Sequence, residues 1–314
     1  MRRLLFGVVL AIGVGPNISV ASVIPCEDVV ARWKQTTDAT SLEEWGLIYE
    51  DAYIESDCRA NTYAKIGQDI IDKFLPGIWR SFVASDDIAQ LQAMSGQINA
   101  LGEYGADWRI PFMEGEIARK MRDPRAALGA YQHALSLLDD EELTPEPPPE
   151  EEVALLRDRL DEVSVVVAQI APDELGLPIT RAGRLISQYS FSTRGYGRRK
   201  ALVPIQFEYA RDVMTGGGRS SFQEVFQTLK SQGSPGITIV GHTDPIGSSS
   251  YNLGLSRKRA DAIRRELLAL NYSGSVETRG MGEEQPFVFD DPGLYGEDVR
   301  NQAHRRVEIL LRQP

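Results

Sequence analysis

Two residues of opposite charge flank a strand-to-helix junction late in the chain. Residues 236–260 read Gly-Ile-Thr-Ile-Val-Gly-His-Thr-Asp-Pro-Ile-Gly-Ser-Ser-Ser-Tyr-Asn-Leu-Gly-Leu-Ser-Arg-Lys-Arg-Ala. The short apolar run Ile237 to Val240 reads as a buried strand that stops at Gly241. A polar loop follows, with Thr243 and Asp244 near its start; Pro245, Gly247 and three serines keep it from becoming helix. A helix then begins near Leu253 with an apolar stripe of Leu255, Ala262, Ile263, Leu267 and Leu270. Arg259 falls inside that stripe, four residues after Leu255 and four before Ile263. A buried guanidinium needs an acceptor, because an unpaired buried charge is strongly destabilising. Asp244 is the candidate neighbour. An acid and a base held apart here suit a zwitterion, one charge on each group. The same two residues also suit an internal salt bridge that only braces the loop, and taken alone they leave both readings open.

Little else in the chain suggests chemistry. The three histidines, His133, His242 and His304, have no partners at metal-ligand spacing. His242 stands two residues before Asp244 and reads as pocket wall rather than half of a metal pair. No nucleophile motif or phosphate-binding glycine loop appears, and nothing points to the paired carboxylates of glycan hydrolysis. The expectation is a protein that is not an enzyme and needs no cofactor or metal. A net charge of −11 argues against nucleic acid as the main partner, since phosphate binding needs a basic face.

The elements that must position Asp244 and Arg259 lie in residues 203–314. Val203 to Tyr209 alternates as a strand, and Gly216-Gly217-Gly218 reads as a turn. Ser221 to Leu229 carries Phe222, Val225, Phe226 and Leu229 on a helical face. Val276 to Gly280 and Val307 to Leu311 complete a set of four strands. Strands alternating with helices imply a mixed four-stranded sheet covered by helices, an α+β fold.

The first part of the 314-residue chain has a different texture. Arg2 and Arg3, the apolar run Leu4 to Val14 and the small residues Ser19-Val20-Ala21 read as a signal peptide over residues 1–21. The alternative is an uncleaved anchor, although the run is shorter than the roughly 20 apolar residues that span a bilayer. No later stretch is apolar enough to cross, so no transmembrane span is expected in the mature chain. Export into an oxidising space predicts a disulfide between Cys26 and Cys58 rather than two free buried thiols. Closing that loop stabilises by roughly 3–4 kcal/mol in the chain-entropy model. Residues 27–172 have helical periodicity throughout, which predicts a helical domain over 22–172. Ser41 and Glu44 form a capping box, Pro76-Gly77 ends a helix, and further helices are expected near Asp86 to Leu101 and Pro111 to Met121. Asp123 is an N-cap with Pro124 at the first helical position.

The spacing Gly115, Ala127, Tyr131, Ala134 matches the small-and-aromatic pattern of a tetratricopeptide repeat, which predicts an all-α, TPR-like domain; the alternative is an irregular helical bundle. An acidic, proline-rich stretch at 139–152 reads as a solvated loop, and Val153 to Ile170 as a last helix closed by Pro172. Residues 173–202 read as a linker. It carries Arg181, Arg184, Arg194, Arg198, Arg199 and Lys200, with an edge strand near Tyr189 and Phe191.

Five motifs in order give residues 203–314 a family likeness. Gly-His-Thr-Asp-Pro-Ile-Gly at 241–247, Tyr-Asn at 251–252, Leu-Ser-Arg-Lys-Arg-Ala at 255–260, Arg-Gly-Met-Gly-Glu-Glu-Gln-Pro at 279–286 and Arg-Arg-Val-Glu-Ile at 305–309 resemble the OmpA-like peptidoglycan-binding domain. The resemblance implies non-covalent binding of the cell wall through the diaminopimelate residue of the stem peptide. Asp244 then pairs with the ligand's ammonium and Arg259 holds a carboxylate, for which a guanidinium fork is suited. Asn252 lines the same pocket, Thr243 and the loop backbone complete it, and Arg305 lies near it with a structural role equally open. A direct Asp244–Arg259 bridge is the expectation for the empty site. Two positions depart from the family pattern. Ala210 stands where Asp or Asn is usual, so one edge contact is missing or is made by Glu208 or Asp212. His304 stands where Asn is usual.

Three functions compete on this basis. The first is a periplasmic, wall-associated binding module at the outer membrane of a Gram-negative bacterium, whose helical half meets a protein partner. The second is an enzyme localised by the same domain, and the third an envelope scaffold held by an uncleaved anchor. The first is preferred; the family likeness concerns ligand class only and leaves the N-terminal partner open.

Overall fold

The computed structural model describes residues 23–170, 192–193, 195–197, 200–203 and 205–312. The expected signal segment, Pro172, the strand near Tyr189 and Phe191, and Arg181, Arg184, Arg194, Arg198 and Arg199 of the linker lie outside the described residues. The chain divides into two compact units, one ending at Asp69 and the other beginning at Ile70.

The first unit contains helices α1 (Cys26–Lys34) and α2 (Leu42–Glu50). Ser41 and Glu44 form the capping box their spacing predicts. Cys26 and Cys58 are joined as a disulfide across 32 residues. Helix α2 runs on into a π-helical turn, Asp51–Glu55. Ile48 is buried, but Leu47, Tyr53 and Ile54 stand 56%, 59% and 62% exposed. The ring of Tyr53 meets the edge of Tyr63 at 5.1 Å between centroids.

Helix α3 (Ala60–Val83) crosses the division and continues through Pro76, where the sequence predicted its end. The apolar spacing explains this. Ile71, Leu75 and Phe82 keep one buried stripe going, while Pro76 and Gly77 sit exposed on the outer face. There the missing backbone N–H and the ring are least harmful.

In the second unit α4 (Ile88–Tyr104) is capped by Asp87 and followed by α5 (Arg109–Lys120) and α6 (Pro124–Asp139). Asp123 accepts from Ala126 N, with Pro124 opening α6, as its type and place predict. Gly115 is the contact point of α5 and α6. A Cβ there would come within 2.5 Å of the Tyr131 ring. Ala127, Tyr131 and Ala134 are fully buried beside it. Helix α7 (Glu150–Ile170) begins three residues earlier than its apolar pattern, because Glu150, Glu151 and Glu152 suit the positive end of a helix. One face of α7 joins Trp108, Phe112, Tyr131 and Leu135 through Val153, Leu156, Leu160 and Val163. No helix of the described residues is long and apolar enough to cross a membrane.

A two-residue hairpin, β1 (Ser192–Thr193) and β2 (Tyr196–Gly197), precedes the main sheet. That sheet consists of β3 (Lys200–Val203), β4 (Ile237–Gly241), β5 (Val276–Gly280) and β6 (Val307–Leu311), in the order β3-β6-β4-β5. Strand β6 is antiparallel to β3 and β4, with Ile239 opposite Ile309, and β4 is parallel to β5. The mixed four-stranded sheet is thus as expected. Its first strand is not: it occupies 200–203, and residues 205–212 leave the ladder as an irregular segment. Gln206 and Phe207 turn back instead on Met214 and Thr215, where Thr215 N donates to Gln206 O at 3.0 Å and Phe207 bridges Met214. The glycine triplet is likewise not a turn but the start of α8 (Gly216–Ser231), capped by Thr215, which accepts from Gly218 N. A Cβ at Gly218 would strike the Gln206 backbone, so glycine lets α8 begin against the chain leaving β3. Helix α9 (Ser249–Ala269) makes the crossover between β4 and β5 that parallel strands require.

Both sheet faces are covered. Ala201, Val203, Ile237, Ile239, Val307 and Ile309 face α8 and α9. On the opposite face Leu202 packs with Val165 and Val166 of α7, Phe289, Tyr295 and Ala303 of α10 (Glu297–His304). A charged network continues that contact. Arg119 lies 3.0 Å from Glu116 and 3.1 Å from Asp290, and Arg159 lies 2.7 Å from Glu116 and 3.0 Å from Asp290. Tyr131 donates its hydroxyl to Glu116, and Tyr295 donates to Glu162 at 2.8 Å. Burial pushes the Glu116 carboxyl up, but Arg159 and Arg119 outweigh it and hold the carboxyl below its usual range.

Candidate functional site

The polar ends of β3, β4 and β6 meet at one edge of the sheet, because β3 and β4 run one way and β6 the other. A cavity of about 370 Å³ opens there. The segment after β3 supplies Gln206, Phe207, Tyr209 and Ala210; the loop after β4 supplies Thr243, Asp244 and Ile246. The first turns of α9 contribute Tyr251, Asn252, Leu255 and Arg259, and Arg305 enters from the end of α10. Thus all five predicted ligand-binding residues, Asp244, Arg259, Asn252, Thr243 and Arg305, line one cavity.

Local hydrogen bonds fix the loop. Thr243 N donates to Gly282 O at 2.9 Å. Ile246 N donates to Asp244 Oδ1 at 3.0 Å, closing an Asx turn. Asn252 Nδ2 reaches Asp244 O at 3.3 Å, which ties α9 to the loop.

The ion pairing differs from the expected Asp244–Arg259 bridge. Asp244 Oδ2 accepts from Arg305 Nη1 at 2.6 Å. Arg259 instead donates Nε to the backbone carbonyl of Arg211 at 3.0 Å and lies over the Phe207 ring, 5.2 Å from its centroid. Among the described residues no carboxylate stands within 4.0 Å of Arg259, although the residue is only 5% exposed. Burial, and then the charge of Arg305, lower its affinity for its proton; the charge of Asp244 works the other way. The cavity therefore holds one acid already engaged by Arg305 and, among the described residues, one cation with no carboxylate in contact. Thr243 Oγ1 is also buried without a hydrogen-bond partner among the described residues. A guanidinium with no acid in contact is suited to an anion such as a carboxylate.

The neighbouring charges face elsewhere. His242 is not pocket wall: its side chain is fully buried on the far side, 3.7 Å from Glu308. Arg306 pairs with Glu308 at 2.8 Å and donates to Gln285 O. Burial pushes the Glu308 carboxyl up, but His242, Arg306 and Lys200 together hold it down at about 2. His304 Nδ1 accepts from Phe287 N at 2.9 Å, the bond an asparagine oxygen there could also accept. The cavity edge at Ala210 gains no acid. Glu208 pairs with Arg211 at 2.8 Å and Asp212 with Arg265 at 3.2 Å, both outside the lining. Ala210 has a φ of 55°, a left-handed backbone that Asn and Asp tolerate better than alanine.

Phe207, Gln206 and Ile246 were not among the predicted site residues. No sequence signal points to Phe207, because Asp244 stands as the candidate partner of Arg259.

Comparison with known proteins finds the same region. Residues 206–294 match the model of the OmpA family, which covers the cavity lining except Arg305. Outer membrane porin F of Pseudomonas aeruginosa is 28% identical over 109 residues, 34% of this chain and 31% of that protein. Outer membrane protein A of Salmonella typhi is 31% identical over 121 residues, 34% of this chain and 33% of that protein. Among solved structures, the peptidoglycan-associated lipoprotein from Burkholderia pseudomallei is 30% identical, with a TM-score of 0.29 over 37% of this chain and 91% of that one. The chain spans about a third of the length of the curated relatives it matches.

Proposed function

We propose that the cavity binds peptidoglycan through the diaminopimelate residue of its stem peptide, without catalysis. The observation that carries this is Arg259, a buried guanidinium that lines the cavity and has no carboxylate against it among the described residues. The match of residues 206–294 to the OmpA family supports the same ligand class. The ligand's carboxylate lies on Arg259, with Arg305 on its other side. Its charge relieves the mutual repulsion of the two guanidiniums. Its ammonium lies on Asp244, whose two oxygens keep free lone pairs beyond the bonds from Ile246 N and Arg305. Thr243 and Asn252 complete the contacts.

The rest of the reading follows the sequence expectations. The chain is an exported periplasmic protein, wall-associated near the outer membrane. Residues 22–172 act as a TPR-like protein-interaction domain, and the exposed Leu47, Tyr53 and Ile54 support such a surface. The test is sedimentation with purified sacculi. The parent chain should co-sediment, and Asp244→Ala combined with Arg259→Ala should remain in the supernatant. Equal sedimentation of the two would refute the mechanism.

A further inference from the structure

The mouth of the cavity carries apolar side chains that the zwitterion clamp does not use. Tyr209 is 88% exposed, Ile246 63% and Tyr251 50%, and all three line the same opening. Exposed apolar residues scattered singly need no explanation, but a cluster round a cavity mouth marks a contact surface. The backbone that carries each is set by hydrogen bonds. Tyr209 lies in a turn closed by Glu208 N to Val213 O at 2.8 Å and Arg211 N to Glu208 O at 3.1 Å. Ile246 is fixed by the Asx turn on Asp244, and Tyr251 by the Ser248 cap of α9.

We infer that this rim is a second subsite, for the pyranose faces of the glycan strand. The inference rests on the proposed ligand of the cavity. Diaminopimelate is joined through a short peptide to a sugar, so the polymer must leave the cavity across its mouth. The intervening peptide carries a carboxylate and would seek a cation, whereas Tyr209, Ile246 and Tyr251 are uncharged. The C–H face of a sugar ring matches them: it stacks on an aromatic plane while its hydroxyls stay in water.

The experiment titrates the full chain calorimetrically with two probes. One is the stem tripeptide ending in diaminopimelate; the other is the same peptide carrying its N-acetylglucosamine–N-acetylmuramic acid disaccharide. The quantity read is the ratio of the two affinities, in which any disturbance of the cavity common to both probes cancels. The parent should bind the disaccharide probe about tenfold more tightly, the expectation for one or two ring contacts. Tyr209→Ala and Tyr251→Ala should each bring the ratio toward one, and Tyr209→Phe should preserve it. Equal affinity of the parent for both probes would overturn the rim subsite alone, as would an unchanged ratio in both alanine variants. Failure of the parent to bind either probe would instead overturn the reading of the cavity. Tyr209 is so exposed that its removal should leave the melting temperature unchanged, which serves as the folding control.

Discussion

Replacing Arg259 by methionine should separate binding from stability. In the fold the guanidinium makes one hydrogen bond, to Arg211 O, and one cation–π contact, to Phe207. Those contribute about 1.5–3 and 0.5–2 kcal/mol respectively. Against them stands the removal of the charge from water, an effective penalty of several kcal/mol, increased by Arg305 nearby. The lowered proton affinity shows that the neighbours do not offset this penalty. Methionine keeps the stem volume and removes the charge. Folding stability should therefore stay within about 1 kcal/mol of the parent or rise, the pattern seen when buried charges become apolar. Binding should suffer. Losing a desolvated carboxylate contact costs about 2–4 kcal/mol, a roughly 30- to 1,000-fold weaker affinity. Calorimetric titration with the stem tripeptide, paired with denaturant melts of the same preparations, reads both quantities. A variant that binds as well as the parent but is destabilised by more than about 3 kcal/mol would show that Arg259 is a structural brace, and the reasoning would fail.

Other perturbations probe the surroundings. Glu116→Gln takes the charge that Arg119 and Arg159 share and should destabilise by about 3 kcal/mol, lowering the melting temperature by roughly 6–12 °C in calorimetry; an unchanged melt would mean that Asp290 and Glu162 suffice. Ala210→Asn should raise the denaturation midpoint by an equivalent of up to about 1 kcal/mol, since asparagine tolerates the left-handed backbone there. Glu308 is held at about 2 against an ordinary 4.5, so its contribution is fully present above pH 4.5 and is lost as pH falls from there toward 2. Glu308→Gln should flatten the stability profile across that window, and a profile as steep as the parent's would assign the acid loss elsewhere. His304, lowered by burial and by Arg306, stabilises as the neutral imidazole above its ordinary 6.5 and loses that contribution as pH falls below it. His304→Asn should remove this step from a pH series of melts.

The residues of the site were legible because local patterns specify them. Arg259 announced itself by interrupting an apolar stripe, and Asp244 by following a short apolar strand. Their pairing was not legible. Distance between two side chains depends on how α9 and α10 seat on the sheet, and Arg305 reaches Asp244 from 61 residues away. Pro76 misled because a local stop signal was outweighed by a stripe that continues to Phe82. The glycine triplet misled for a related reason: a threonine cap and a tight contact with Gln206 make a helix start of residues with poor helix propensity. The Arg119 network left no periodic signal, since its partners lie as far as 171 residues apart.

That network bears on how the site is held. Residues 281–296 begin at the cavity, where Gly282 O accepts from Thr243 N and Glu283 accepts from Ser249 at 2.5 Å. They end against the helices, where Asp290 meets Arg119 and Arg159 and Tyr295 donates to Glu162. The same segment therefore supports the Asp244 loop at one end and is clasped by α5 and α7 at the other. Asp290 stays about half exposed, so its pairs with Arg119 and Arg159 add little by themselves, and the buried hydrogen bond from Tyr295 to Glu162 is the stronger hold. If the cavity holds peptidoglycan as proposed, a load on that ligand would pass into α5 and α7 through Asp290 and Tyr295.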